Sequence, residues 1–266
     1  LEKQRELLLP VPYFLLTFTL PAELRKLARQ QQRLFYDLLF RASAAATQQL
    51  AQDPRFIGGQ IGMVGVLHTW TRDQRYHPHA HYLVPAGGLA ADGQTWLPAR
   101  KNFLLPVKAL SRLFRGHFRQ ALQKTPAYAE VPARVWAQDW VVHCQPVGTG
   151  QTALKYLAPY IFRVALSNRR LVKLEHDRVT FHYKASQTGQ TKFCTLPVEA
   201  FIQRFLQHVL PRGFVKVRYY GLFAPGSRSG QRLAALQEQL HQMPAEPALP
   251  SDENPSADQA TPASAS

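Results

Sequence analysis

The stretch Tyr76-His77-Pro78-His79-Ala80-His81-Tyr82-Leu83-Val84-Pro85 carries the densest pattern in the chain. Closed by Pro85 and Gly87-Gly88, it reads as a strand, and on a strand side chains alternate between faces. His77, His79 and His81 then share one face, while Ala80, Tyr82 and Val84 share the other. Imidazoles converging from one strand suit a transition-type divalent ion. An open site that also holds phosphate oxygens suits magnesium or manganese. A lone His-x-His is more often packing than a ligand pair, and three same-face histidines in a basic chain shift that balance. His77 and His68 both remain open as the third ligand. His68 lies in the preceding apolar run Val66-Leu67-His68-Thr69-Trp70, and it is favoured because Pro78 bends the strand entry and turns His77 aside.

Outward from this strand, residues 13–20 form an aromatic, β-branched run closed by Pro21, hence a buried strand. Residues 22–50 read as one amphipathic helix, with Leu24, Leu27, Leu34, Leu38 and Leu39 on one side. Residues 61–70 and 77–84 are neighbouring strands, and 106–122 is a helix. Residues 135–144 read as a strand built on Trp136, Trp140, Val141 and Val142. After the loop 145–150 a helix is expected over 151–165. Short hairpin strands follow over 171–195, then a helix over 198–208 and a last strand over 215–223. The pattern implies an α+β fold with a mostly antiparallel central sheet and flanking helices. A folded domain over 1–224 precedes a tail, 225–266, rich in Pro, Ala and Ser, without an aromatic residue and mostly disordered, with a short helix over 231–241 as the exception.

The helix over 151–165 contains Lys155-Tyr156-Leu157-Ala158-Pro159-Tyr160-Ile161-Phe162-Arg163. Tyr156 and Tyr160 are four apart and share a face, with Arg163 three further on. A tyrosine attacks a phosphodiester when its proton is lost and the phosphate charge is neutralised, for which Lys155, Arg163 and a metal are at hand. Taken alone, two tyrosines at this spacing are more often a packing stripe, and Pro159 bends the axis between them. Arg169 and Arg170 follow, then Lys173; Lys216 and Arg218 stand among Tyr219 and Tyr220. Cations interleaved with aromatics suit a single nucleic-acid strand.

Lys and Arg total 32 against 17 Asp and Glu in 266 residues, a net charge of +15. Residues 225–266 carry two arginines and five acids, so residues 1–224 hold +18. The expected partner is therefore polyanionic. Two cysteines, Cys144 and Cys194, exclude a disulfide framework or a four-cysteine zinc site. No stretch is long and apolar enough for a membrane span, so a cytoplasmic, nucleoid-associated protein is expected. The opening Leu1 rather than Met marks the expected fragment of something longer.

The motifs together resemble the two-tyrosine HUH transposases of rolling-circle insertion sequences. The resemblance is carried by Leu9-Pro10-Val11-Pro12-Tyr13-Phe14, Phe18-Thr19-Leu20-Pro21, Leu67-His68-Thr69-Trp70, His77-Pro78-His79-Ala80-His81 and Pro85-Ala86-Gly87-Gly88-Leu89. It continues through Lys155-Tyr156-Leu157 with Tyr160, the run 163–170, the run 205–214 and Tyr220-Gly221-Leu222. It implies a palm-like HUH-endonuclease sheet, His79 and His81 as metal ligands, and Tyr156 and Tyr160 as nucleophiles. The implied reaction nicks and rejoins single-stranded DNA at transposon ends through a 5′-phosphotyrosine link, with no small-molecule substrate. Such transposases carry a cysteine-rich zinc-binding segment ahead of the part that begins here, and they place a residue such as Arg or Gly where Pro159 stands. Tyr156, ahead of the proline bend, is expected to be the primary nucleophile.

Three other readings make distinct forecasts. A nucleic-acid-binding remnant without catalysis binds DNA and leaves no nick. A metal-dependent hydrolase using the three histidines and water leaves no covalent adduct. A replication initiator or relaxase shares the chemistry and differs in the motifs outside the site.

Overall fold

The computed structural model describes residues 7–149, 152, 165–185 and 188–242. Among them, five strands form the main sheet: β1 (Pro12–Thr19), β2 (Gly62–Trp70), β3 (Tyr76–Pro85), β6 (Val142–Thr149) and β10 (Val217–Gly221), in the order β10-β2-β3-β1-β6. Every pairing is antiparallel, so the expected fold class, α+β with an antiparallel central sheet, is borne out. A hairpin, β4 (Gly87–Leu89) with β5 (Trp96–Pro98), and a three-stranded sheet, β7 (Leu171–Glu175), β8 (Arg178–Lys184) and β9 (Thr191–Pro197), complete the strands.

The central strands are apolar on both faces because both faces are covered. Phe14, Leu16, Phe18, Ala80, Tyr82 and Leu67 pack under helices α1 (Arg25–Gln30), α2 (Gln32–Ala51) and α3 (Val107–Leu122). Tyr13, Leu15, Val64, Val66 and Leu83 form a second core on the opposite face, closed by Leu233, Leu236 and Leu240 of the last helix, Ser227–Gln242. Burying each such side chain stabilises the fold by about 1.5–3 kcal/mol. Tyr82 is fully buried beneath α2. Its hydroxyl is satisfied there by Ser43 Oγ at 2.6 Å, and it donates to the Phe40 carbonyl at 3.2 Å.

Several elements differ from the sequence reading. The helix expected over 22–50 is interrupted at Gln31, whose backbone (φ −125°, ψ 52°) leaves the helical region with no proline or glycine to announce it. Residues 135–141 are not a strand: Arg134–Ala137 is a helical turn, and pairing begins at Val142. The tryptophans that suggested the strand are core anchors of a connector. Trp136 and Trp140 stack at 5.8 Å, and the Trp140 indole donates to the Val135 carbonyl beneath Phe114 and Phe118. The helix expected over 231–241 is present as Ser227–Gln242, and three of its leucines are buried in the core. No helix among the described residues is long and apolar enough to cross a membrane.

Candidate metal centre

Antiparallel register fixes which side chains meet. His79 on β3 lies opposite His68 on β2, and His81 lies opposite Val66 on β2 and Thr17 on β1. Directly opposed residues share a face, so His68, His79, His81 and Thr17 project from one side of the sheet. The imidazole centroids are 5.6 Å (68–79), 5.1 Å (68–81) and 4.7 Å (79–81) apart, and one ligand nitrogen from each lies within 4.8 Å of the others. Three nitrogens around one ion at about 2.1 Å stand roughly 3–4 Å apart, so small ring rotations bring the trio onto a common ion. All three residues are buried, which keeps the rings in place.

Hydrogen bonds orient two of these rings. His79 Nδ1 donates to the His77 carbonyl at 2.6 Å, because a carbonyl only accepts, and this leaves Nε2 with its lone pair for a metal. His81 Nδ1 pairs with the Thr17 hydroxyl at 2.9 Å. The His68 ring is backed by Trp70, stacked at 4.7 Å, and Lys216 Nζ sits 5.5 Å from the Trp70 ring centroid. Burial lowers the Lys216 pKa from its usual value. Outer partners of this kind typically carry 10–100-fold in metal affinity. Thr17→Val, which keeps the shape of the side chain and removes its hydroxyl, is therefore expected to weaken Mn2+ binding by roughly tenfold or more, read by isothermal titration.

His77 stands apart from the trio. Arg25 Nη2 donates to its Nδ1 at 2.7 Å. Burial foremost, then the neighbouring His79, Arg25 and Arg75, lower its pKa to about 2. The ring is thus neutral, with one lone pair engaged away from the centre, and its backbone carbonyl is the part that serves the site.

Tyr156, Tyr160, Lys155 and Arg163 lie outside the described residues. Arg169 and Arg170 form a 3-10 turn that leads into β7. The Arg170 guanidinium clamps three carbonyls, His182 at 2.9 Å, Ala165 at 3.4 Å and Arg72 at 2.5 Å, and so fastens the three-stranded sheet to the β2–β3 turn. Arg218 pairs with Asp37 on the helix-covered face and sits between the Phe40 and Phe214 rings. Sequence reading missed Thr17, Arg25 and the His68-stacking role of Trp70. It also missed His143, which lies opposite Thr17 on the site face and is exposed. Strand register brings Thr17 and His143 to the histidines and the packing of α1 against β3 brings Arg25, so no local motif announces these three, whereas Trp70 stands two residues from His68 on the same strand.

The chain matches the family described as "Putative transposase" over residues 62–231. It is 39% identical over 260 residues to a protein named "Putative transposase y4qJ" of Sinorhizobium fredii (strain NBRC 101917 / NGR234), covering 90% of this chain and 65% of that one. It is 28% identical over 248 residues to "Transposase for insertion sequence element IS801" of Pseudomonas savastanoi pv. phaseolicola, covering 86% of this chain and 58% of that one. The chain thus spans about three-fifths to two-thirds of the length of these relatives. No solved structure matches it. The family match covers well over half the chain and includes His68, His79, His81, Tyr156 and Tyr160, so the chain belongs to the Putative transposase family, a family of the kind its two-tyrosine HUH motifs resemble.

Proposed function

We propose that this chain is the catalytic part of a transposase that nicks and joins single-stranded DNA through a covalent 5′-phosphotyrosine intermediate. The observation that carries the reading is the convergence of His68, His79 and His81, buried side chains with ligand nitrogens within 4.8 Å of one another, in a chain of this family. An all-imidazole set with two rings held by outer hydrogen bonds fits a divalent ion, Mg2+ or Mn2+, when phosphate oxygens complete the shell. Bound there, such an ion supplies Lewis-acid polarisation of the scissile phosphate.

The remaining steps belong to the chain's own residues. The phenol oxygen of Tyr156 or Tyr160 attacks phosphorus as its proton leaves; a new tyrosyl O–P bond forms and the bond from phosphorus to the 3′-oxygen breaks. That oxygen leaves as a free 3′-hydroxyl, and the 5′-phosphate stays on the tyrosine. Rejoining reverses the sequence: a 3′-hydroxyl attacks the phosphotyrosine and the phenol is released. The second tyrosine serves the second strand exchange. Lys155 and Arg163 neutralise the phosphate near the tyrosines, and Arg169 holds the flanking backbone.

Labelled single-stranded DNA carrying an element end tests this on a denaturing gel. Cleavage is expected with Mn2+ or Mg2+ and not with EDTA, and it is expected to vanish in the Tyr156→Phe, Tyr160→Phe double variant. Cleavage that survives the double variant would point to water as nucleophile and to a hydrolase. Binding without cleavage in any metal would point to a binding remnant.

A further inference from the structure

The three-stranded sheet has two unlike faces. Phe181 and Val179 of β8 are buried on one, where helix Val198–Leu206 packs with Phe201 6.1 Å from the Phe181 ring. The other carries Arg178, Thr180, His182 and Lys184 of the central strand, with Thr195, Phe193 and Thr191 of β9 opposite the last three. Phe193 is 64% exposed on an edge strand, a large aromatic ring where β-sheet surfaces normally present polar groups. Its neighbour His182 lies 6.5 Å away, ring centre to ring centre.

The surroundings of Phe193 are ordered and cationic. The Thr180 and Thr195 hydroxyls bond each other at 2.9 Å, and His182 Nε2 donates to the Arg169 carbonyl at 3.1 Å. Arg178 and Lys184, both exposed, mark the two ends of β8, about 20 Å apart along the strand. Glu175 on β7, directly opposite Arg178, is paired with Lys173 at 2.9 Å, and Lys173, Arg178 and Lys184 outnumber it, so the net charge on this face is positive. An exposed ring between two cations, flanked on its own strand by the exposed Thr191 and Thr195, is the chemistry that receives an unstacked base and its flanking phosphates. A protein partner seated on Phe193 would leave the Arg178 and Lys184 charges to be matched separately, whereas one polyanionic strand meets ring and cations together. Arg170 and Arg72 tie the sheet to the turn between the strands that carry His68 and His79.

We propose that the Phe193 face of the β7–β9 sheet is a second nucleic-acid site, which stacks an unpaired base of a DNA strand on Phe193 and holds the adjoining phosphates with Arg178 and Lys184. The proposal rests on the reading of the partner as single-stranded DNA and adds a contact surface on the sheet fastened to the β2–β3 turn.

The test is fluorescence anisotropy of the full chain with a short labelled oligothymidylate in EDTA, so that no ion at the histidines contributes. Because stacking one base on an aromatic ring is worth tenfold or more in affinity, Phe193→Ala is expected to weaken binding about tenfold, while Phe193→Tyr and Phe193→Trp stay within about twofold of wild type. Arg178→Ala with Lys184→Ala is expected to flatten the log–log salt dependence by about 1.4, the share of two phosphates on a single strand. Phe193 is exposed, so equal melting temperatures are expected for all variants. Wild-type affinity in Phe193→Ala would overturn the proposal, and strand cleavage by wild type would then leave the nicking reading standing. A fall from two copies to one on sedimentation of Phe193→Ala would also overturn it, by making this face a contact between copies of the chain. Failure of wild-type chain to bind the oligonucleotide at all would also overturn the proposal, while metal-dependent cleavage of element-end DNA would still decide the nicking reading on its own.

Discussion

Replacing His81 by alanine is expected to lower Mn2+ affinity by more than about 100-fold and to remove metal-dependent strand cleavage, whereas His77→Ala leaves the affinity within about threefold of wild type. The asymmetry comes from the strands. His81 faces into the trio from the middle of β3, with Thr17 on its Nδ1. Its loss takes one of three protein ligands, more than the 10–100-fold that an outer partner carries. His77 sits two residues earlier on the same strand, yet its Nδ1 is engaged by Arg25. What it contributes to the centre is a backbone carbonyl that holds His79, and alanine keeps that carbonyl. His68→Ala should behave as His81→Ala does. Titration of Mn2+ into the four proteins decides the matter, and a His77→Ala protein that loses the metal while His68→Ala keeps it would reassign the third ligand.

The second large effect is on stability. Gly221 ends β10 at φ +58°, and a β-carbon there would stand 1.9 Å from the Ile61 carbonyl oxygen. That oxygen already accepts from the Leu222 amide at 3.2 Å and from Gln48 Nε2 at 3.0 Å. Gly221→Ala must therefore push backbone away from backbone and break the junction between β10, β2 and α2. A loss of about 3–5 kcal/mol is expected, a fall in Tm of roughly 10 °C. Gly93→Ala is the internal control: its φ of +73° is equally left-handed, but nothing lies within 4 Å of the added carbon. Only conformational strain remains there, about 1 kcal/mol. Thermal unfolding of the two variants separates the clash from the torsional cost, and equal shifts would contradict the packing described around Gly221.

The legible part of this molecule lies where local pattern and tertiary demand agree. Alternation along 76–85 gave β3 and the common face of His79 and His81, and the apolar runs gave the other central strands and helices. The antiparallel sheet followed from their order. What the sequence withholds is cross-strand partnership. Thr17 sits 64 positions from His81 and resembles any strand threonine until β1 and β3 are placed side by side. Aromatic density misled over 135–141, where Trp136 and Trp140 bury themselves as anchors and their β-propensity has no ladder to serve. The hairpin of β4 and β5 was hidden because Gly87 and Gly88, which read as strand terminators, are where backbone approaches too closely for a side chain: a β-carbon at Gly87 would meet the Leu97 oxygen at 2.6 Å. Arg170, one of a pair of adjacent arginines that looked alike in sequence, spends its guanidinium on carbonyls, a distinction that spacing alone cannot make.

Peptide mapping by mass spectrometry of the chain incubated with single-stranded element-end DNA and Mn2+ reads the covalent tyrosine–DNA link itself. A nucleotide-bearing peptide that contains Tyr156 or Tyr160 is expected, formed with metal, lost with EDTA and absent from His81→Ala. Cleaved DNA with no modified tyrosine peptide, or a modified tyrosine elsewhere in the chain, would contradict that expectation.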